Sequence, residues 1–171
     1  RERRLPLRPP VVFSVVIVPL TWAVTIAGAV VGPLLLAAER WAPGALLTAI
    51  GLPVAFAGTR SLHQLARRWI VLVPTGLVLH DALAMPEPQL FLRTSIDRLG
   101  PAPARLDDGV ADLTVAAPGL ALRLELAEPA DLVVRGRGRA TREVAAGAVL
   151  FTPSRPERVL DAAAANRIPV G

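Results

Sequence analysis

Few residues in this 171-residue chain carry side chains that do chemistry. Cysteine and tyrosine are absent and every basic residue is arginine. That excludes a thiolate nucleophile, a cysteine-ligated zinc site and a lysine Schiff base. The imidazoles are His63 and His80. His80 precedes Asp81, an adjacent imidazole–carboxylate pair, but acid–base catalysis needs such groups to converge on a substrate with a third group orienting them. The sequence supplies no third group, so the pair reads as a solvent-facing histidine at a strand end beside a turn aspartate. His63 follows an apolar run and has no partner at ligand spacing. Asp107, Asp108 and Asp112 could crowd round a hard cation, yet their spacing departs from the calcium-loop pattern and Gly109 marks a turn, so a solvated hairpin is the better reading. Phosphate-loop, nucleophile-elbow and zincin motifs are missing. The expectation is a protein that is not an enzyme and uses no cofactor or metal.

The densest functional candidate is basic. Arg135, Arg137 and Arg139 alternate with glycine, and Arg142 follows. Guanidinium forks match phosphate and carboxylate, so this connection between two strands is a candidate contact for anionic lipid headgroups or an acidic protein surface. A basic loop also keeps a strand connection soluble. No run of aromatics for base stacking accompanies it, which argues against a nucleic-acid partner.

The elements that must position these residues come in two materials. The chain is 53% hydrophobic, 19% charged and only 4% aromatic, with a net charge of +5. Val11–Ala38 and Trp41–Thr59 are free of charge, separated only by Glu39-Arg40. About 20 apolar residues, each rising about 1.5 Å, cross a bilayer as a helix. The runs are apolar all round, relieved by Ser14, Thr21, Thr25 and Thr48, which is unlike a one-faced soluble helix. Two transmembrane helices are expected, at about 11–36 and 42–59. Pro19, Pro33 and Pro53 imply kinks, Pro33 alternatively an early end to the first helix. Gly28 and Gly32 have the small-xxx-small spacing of close helix packing, expected here to serve packing of the hairpin on itself, with dimerisation as the alternative. With no ionisable group at depth, a transporter or channel is disfavoured. The first run exceeds the 7–15 residues of a cleaved signal core, and a second span follows directly.

Arginine placement gives the topology. Arg1, Arg3, Arg4 and Arg8 precede the first run; Arg60, Arg67 and Arg68 follow the second. Positive flanks stay cytoplasmic, so both termini are expected inside the plasma membrane. Arg60, Arg67, Arg68, Trp41 and Trp69 then read as membrane-interface anchors. The expected organisation is a basic flank and hairpin at 1–68, then a cytoplasmic domain at 69–171.

That second part alternates with period two. Strands are expected at Trp69–Val73, Leu77–Asp81, Gln89–Thr94, Ala111–Ala117, Leu120–Leu126, Asp131–Arg135 and Gly147–Thr152. Turns are expected at Gly100–Pro103, Asp107–Gly109 and Glu128-Pro129. A C-terminal helix at about 154–166 would start from a capping box, Ser154 to Glu157, with an apolar stripe of Val159, Leu160, Ala163 and Ala164.

The run Arg67-Arg68-Trp69-Ile-Val-Leu-Val-Pro-Thr-Gly-Leu-Val-Leu-His-Asp81 behind a hydrophobic hairpin resembles bacterial membrane proteins with a pleckstrin-homology-like (PH-like) domain. Ser95–Leu99 is similar to the segment leading out of their next strand, and Val149–Leu160 to their last strand and capped helix. The resemblance implies a mostly β, partly open seven-stranded barrel with a C-terminal helix. It implies a binding or scaffolding module without a shared active site. The expected function is a membrane-tethered adaptor or accessory subunit docking a protein partner or anionic lipid. The alternative is an integral subunit of a larger membrane complex, held through the hairpin.

Overall fold

A computed structural model describes residues 2–65, 67–105, 108–136 and 140–171. Asp107, Arg137 and Arg139 lie outside the described residues. The chain divides into two compact units, Val11–Ala66 and the combination of Arg1–Pro10 with Arg67–Gly171.

The first unit is a helical hairpin. A wide π turn at Phe13–Ile17 runs into α1 (Val18–Ala37), and α2 follows at Trp41–Leu65. Both are long and apolar enough to cross a bilayer. Pro19 has no N–H for the usual bond four residues back, and the wider turn, with Val18 N–H donating to the Phe13 carbonyl, lies directly before it. Pro33 does not end α1, which continues to Ala37. The stop is made by backbone bonds from Arg40 N–H to the Leu35 carbonyl and from Glu39 N–H to the Leu36 carbonyl. This is a Schellman motif, and Glu39 occupies its left-handed position at φ 61° where glycine is usual.

The second unit carries the sheets. Among the described residues eight strands form two four-stranded sheets. One contains β1 (Arg3–Pro6), β2 (Arg68–Val73), β3 (Gly76–Asp81) and β4 (Gln89–Leu92), antiparallel and in that order. The other contains β5 (Ile96–Pro101), β6 (Val110–Asp112), β7 (Leu122–Arg135) and β8 (Thr141–Phe151), in the order β5-β7-β8-β6, with β6 parallel to β8. Alternation is plain in β2 and β3, where Ile70, Leu72, Leu77 and Leu79 are fully buried. With Leu122, Leu124, Leu132, Val149 and Phe151 they make one core, closed by Val159, Ala162 and Ala163 of α3 (Pro156–Ala165). Gly76 closes the β2–β3 turn where a Cβ would strike the Phe91 carbonyl oxygen, so no larger residue fits there.

Five expectations change. The N-terminal flank is not merely a basic tail: β1 pairs with β2, so residues 1–10 belong with the sheets rather than with the hairpin. Gly100-Pro101 is not a turn but the end of β5; Leu99 N–H points away from β7 to the Pro169 carbonyl, and the proline N, two residues on, lies on that same outer side where no ladder bond to β7 is lost. Glu128-Pro129 is not a turn either; β7 runs through it, with a register shift between Glu125 and Ala130 that accommodates the proline. The strand expected at Ala111–Ala117 stops at Asp112, because Val115 and Ala116 turn left-handed at φ 53° and 55°. Finally, α3 is capped at Arg155 with no side-chain bond, so Ser154 does not form the expected capping box.

Candidate functional site

Arg68 opens β2 on the buried face that Ile70 and Leu72 continue, and Asp81 closes β3 on the face of Leu77 and Leu79. The register places Arg68 opposite Asp81. The guanidinium donates from Nε to Asp81 Oδ1 at 2.7 Å and from Nη2 to Oδ2 at 2.5 Å, with only 4% of Arg68 exposed. Its Nη1 donates to the Arg8 carbonyl at 2.9 Å. This bidentate buried pair corrects two readings. Arg68 is not a membrane-interface anchor, because its charge is turned into the sheet unit. Asp81 is not a solvated turn aspartate beside His80 but a buried strand-end residue with both carboxylate oxygens taken, Oδ1 also accepting from Leu83 N–H at 3.0 Å. His80 instead stacks on Trp69 across the strands, ring centroids 5.3 Å apart, so that indole is also held by the sheet.

Asp81 also shapes the chain just beyond β3. Its carbonyl accepts from the N–H groups of Ala84 and Met85, which folds the chain into a tight turn. The Ala84 carbonyl then accepts from Arg135 N–H at 2.7 Å, tying that turn to the end of β7. Here Val134 pairs with Arg142 and Arg135 with Thr141, so the fold brings Arg135 and Arg142 together at the tip of the β7–β8 hairpin. Both arginines border a cleft of about 330 Å³ whose floor includes Leu83, Leu113, Val134 and Val144. Among the described residues neither has an ion-pair partner. Asp112 also lines the cleft, but its Oδ1 accepts from Thr114 N–H at 2.9 Å and from the Thr114 hydroxyl at 2.7 Å.

Val115 lines the same cleft in the left-handed conformation, rare for a β-branched residue and costing about 1–3 kcal/mol. Strain of this kind concentrates where a surface is shaped for a ligand. Neither the cleft nor the strain is visible in sequence, since Leu83, Val115 and Arg142 come from three separate segments.

In the hairpin unit a Cβ added to Gly28 would stand 2.6 Å from the Gly51 carbonyl oxygen, and one on Gly51 would collide with the Gly28 carbonyl. Gly32 lies against the Thr48 backbone, Gly44 against Leu36 and Gly58 against Thr25. The seam on α2 is Gly44, Thr48, Gly51, Ala55 and Gly58, a four-three spacing of small residues that sequence reading overlooked beside Gly28 and Gly32. The Thr48 and Thr59 hydroxyls donate to the carbonyls of Gly44 and Ala55, the usual resting place for hydroxyls in an apolar helix. Trp41, Arg60 and His63 on α2 are exposed, as is Arg67 before β2. Asp108 is exposed in the turn before β6.

Comparison with protein-family models, with curated proteins and with solved structures finds no match for this chain.

Proposed function

We propose that the chain is a non-enzymatic, membrane-tethered adaptor whose sheet domain docks an acidic segment of a protein partner at the cytoplasmic face. The observation that carries this reading is the Arg135–Arg142 cleft: two guanidinium groups without ion-pair partners among the described residues, beside an apolar floor. An acidic residue flanked by an apolar one matches that lining, and forked donors favour a carboxylate. Arg137 and Arg139, the rest of the basic run, would add charge from the connection between β7 and β8.

The hairpin supplies the tether. Its two helices suit a bilayer in length and composition. The chain enters them from β1 and leaves into β2, which are neighbours in one sheet. That pairing supports two spans with both ends on one side, and positive flanks favour the cytoplasmic side of the plasma membrane. Trp41, Arg60 and Arg67 would then be interface anchors. The sheet domain is proposed to be PH-like, supported by two sheets around one core and a C-terminal helix closing it. Eight strands and the parallel β6–β8 pair set it apart from the seven-stranded barrel the resemblance implied.

A second reading, an integral subunit held through the hairpin, rests on a separate observation. Beside the Gly28–Gly51 contact an apolar groove of about 350 Å³ is lined by Val24, Val31, Leu47, Ile50 and Val54. Mild-detergent purification from native membranes separates the readings. The adaptor reading expects a stoichiometric partner that is lost when Arg135 and Arg142 become Gln and kept when Val31 and Ile50 become Ala. The opposite pattern establishes the subunit reading, and a clean monomer contradicts both.

A further inference from the structure

We infer that a second basic cleft, between β1 and α3, binds a phosphate group, as found on an anionic lipid headgroup or a soluble phosphate ester. Arg3, Arg4 and Leu5 of β1 face Arg158 and Asp161 of α3 across an opening of about 490 Å³. More than 150 positions of sequence separate the two sides, so the site exists only through the fold. Three arginines and one aspartate border this cleft, and with Glu2 held by Arg4 a net positive charge remains, suited to an anion.

The details favour an incoming ligand over internal pairing. Arg4 holds Glu2 at 2.8 Å, but both side chains are more than half exposed, at 66% and 51%. An exposed pair of this kind contributes little and yields readily to a stronger anion. Among the described residues Arg3 and Arg158 have no ion-pair partner. Arg158 also stands in the first turn of α3, where the helix dipole disfavours a cation. Its presence there is not explained by helix stability, and an anion in the cleft would explain it.

The neighbouring chain argues for a headgroup as the source. Leu7 N–H donates to the Arg68 carbonyl and Arg8 N–H to the Thr152 carbonyl, which pins the chain as far as Arg8. Only Pro9 and Pro10 then separate it from the apolar run that starts at Val11. Three steps from Arg8 to Val11 extend the chain by at most about 11 Å, and Leu5 of the cleft lies three residues before Arg8. This step rests on the membrane-tether reading, whereas the phosphate chemistry of the cleft does not.

The test uses the full chain in nanodiscs of phosphatidylcholine containing some phosphatidylglycerol, with retained lipid counted by native mass spectrometry. A parallel arm titrates glycerol 1-phosphate into the chain in pure phosphatidylcholine discs. Arg158→Gln is expected to weaken binding about fivefold, and Arg3→Gln with Arg158→Gln by more than tenfold. Arg93→Gln, at an exposed arginine outside both clefts, leaves it unchanged. Arginine-dependent retention of phosphatidylglycerol alone identifies the headgroup; arginine-dependent binding of glycerol 1-phosphate identifies a soluble ester. Binding in neither arm, or binding indifferent to Arg3 and Arg158, overturns the site. Both variants lie on the surface, and an unchanged melting temperature verifies their folding. Extraction of the wild-type chain by alkaline carbonate reports separately on the tether: release from membranes contradicts the tether whatever the phosphate arms show.

Discussion

In the hairpin unit the helices meet backbone to backbone at Gly28 and Gly51, and their large side chains point outward: Trp22, Leu34 and Phe56 are 56%, 62% and 72% exposed. In the sheet unit the large side chains are inside, with Ile70, Leu77, Leu99 and Leu132 fully buried, and charge lies mostly outside. The two units therefore pack in opposite ways, as expected if the hairpin sits in a bilayer and the sheets in water. Water drives leucines together and rewards a filled core. A hydrocarbon medium gives leucines no such incentive, so helices associate through close approach of small residues. The exception in the sheet unit is the buried Arg68–Asp81 pair, a charged contact within an otherwise leucine-rich core.

That exception gives the largest expected effect. Asp81→Ala strands a guanidinium in the core and also removes the carboxylate that Leu83 N–H donates to, so it should cost about 3–5 kcal/mol in chemical denaturation. Replacing both partners, Arg68→Met with Asp81→Leu, should recover most of that loss. If the double variant is as unstable as the single, the pair is not merely a satisfied burial but shapes the turn itself.

The contrast between the units sharpens further in the hairpin. Gly51→Val forces the helices apart and should cost about 1–3 kcal/mol when unfolding is measured in bicelles. Phe56→Val, on an exposed position of the same helix, should cost close to nothing. Equal costs would mean the hairpin is held by bulk apolar area, as the sheet unit is. The smallest effect is at the connection between the helices. Glu39→Gly removes the left-handed penalty and should stabilise the hairpin by about 1 kcal/mol in the same assay.

Much of this was legible in the sequence where one physical signal dominated. Charge-free runs gave both helices to within a few residues at the start, and alternation gave β2 and β3. The misses come from residues with two plausible uses. Proline marks a turn by propensity, yet Pro101 ends an outer strand and Pro129 sits at a register shift, both places where a missing N–H does no harm. Arg68 beside Arg67 looks like a membrane flank. The signal that would have placed it is the inward stripe itself: positions 68, 70 and 72 share one face, as do 77, 79 and 81, so the two stripes end on opposite charges that pair across the strands. The Arg3–Arg158 and Arg135–Leu83 neighbourhoods depend on long-range packing, and nothing local in the sequence announces them.

The proposed hairpin tether would hold the docking surface on the cytoplasmic side, and the absence of native cysteine makes that directly measurable. Single variants Arg40→Cys, between the helices, and Arg142→Cys, at the cleft, can be probed in intact cells with a membrane-impermeant maleimide. The account predicts labelling at position 40 in intact cells and at position 142 only after permeabilisation. Labelling of position 142 in intact cells would contradict it.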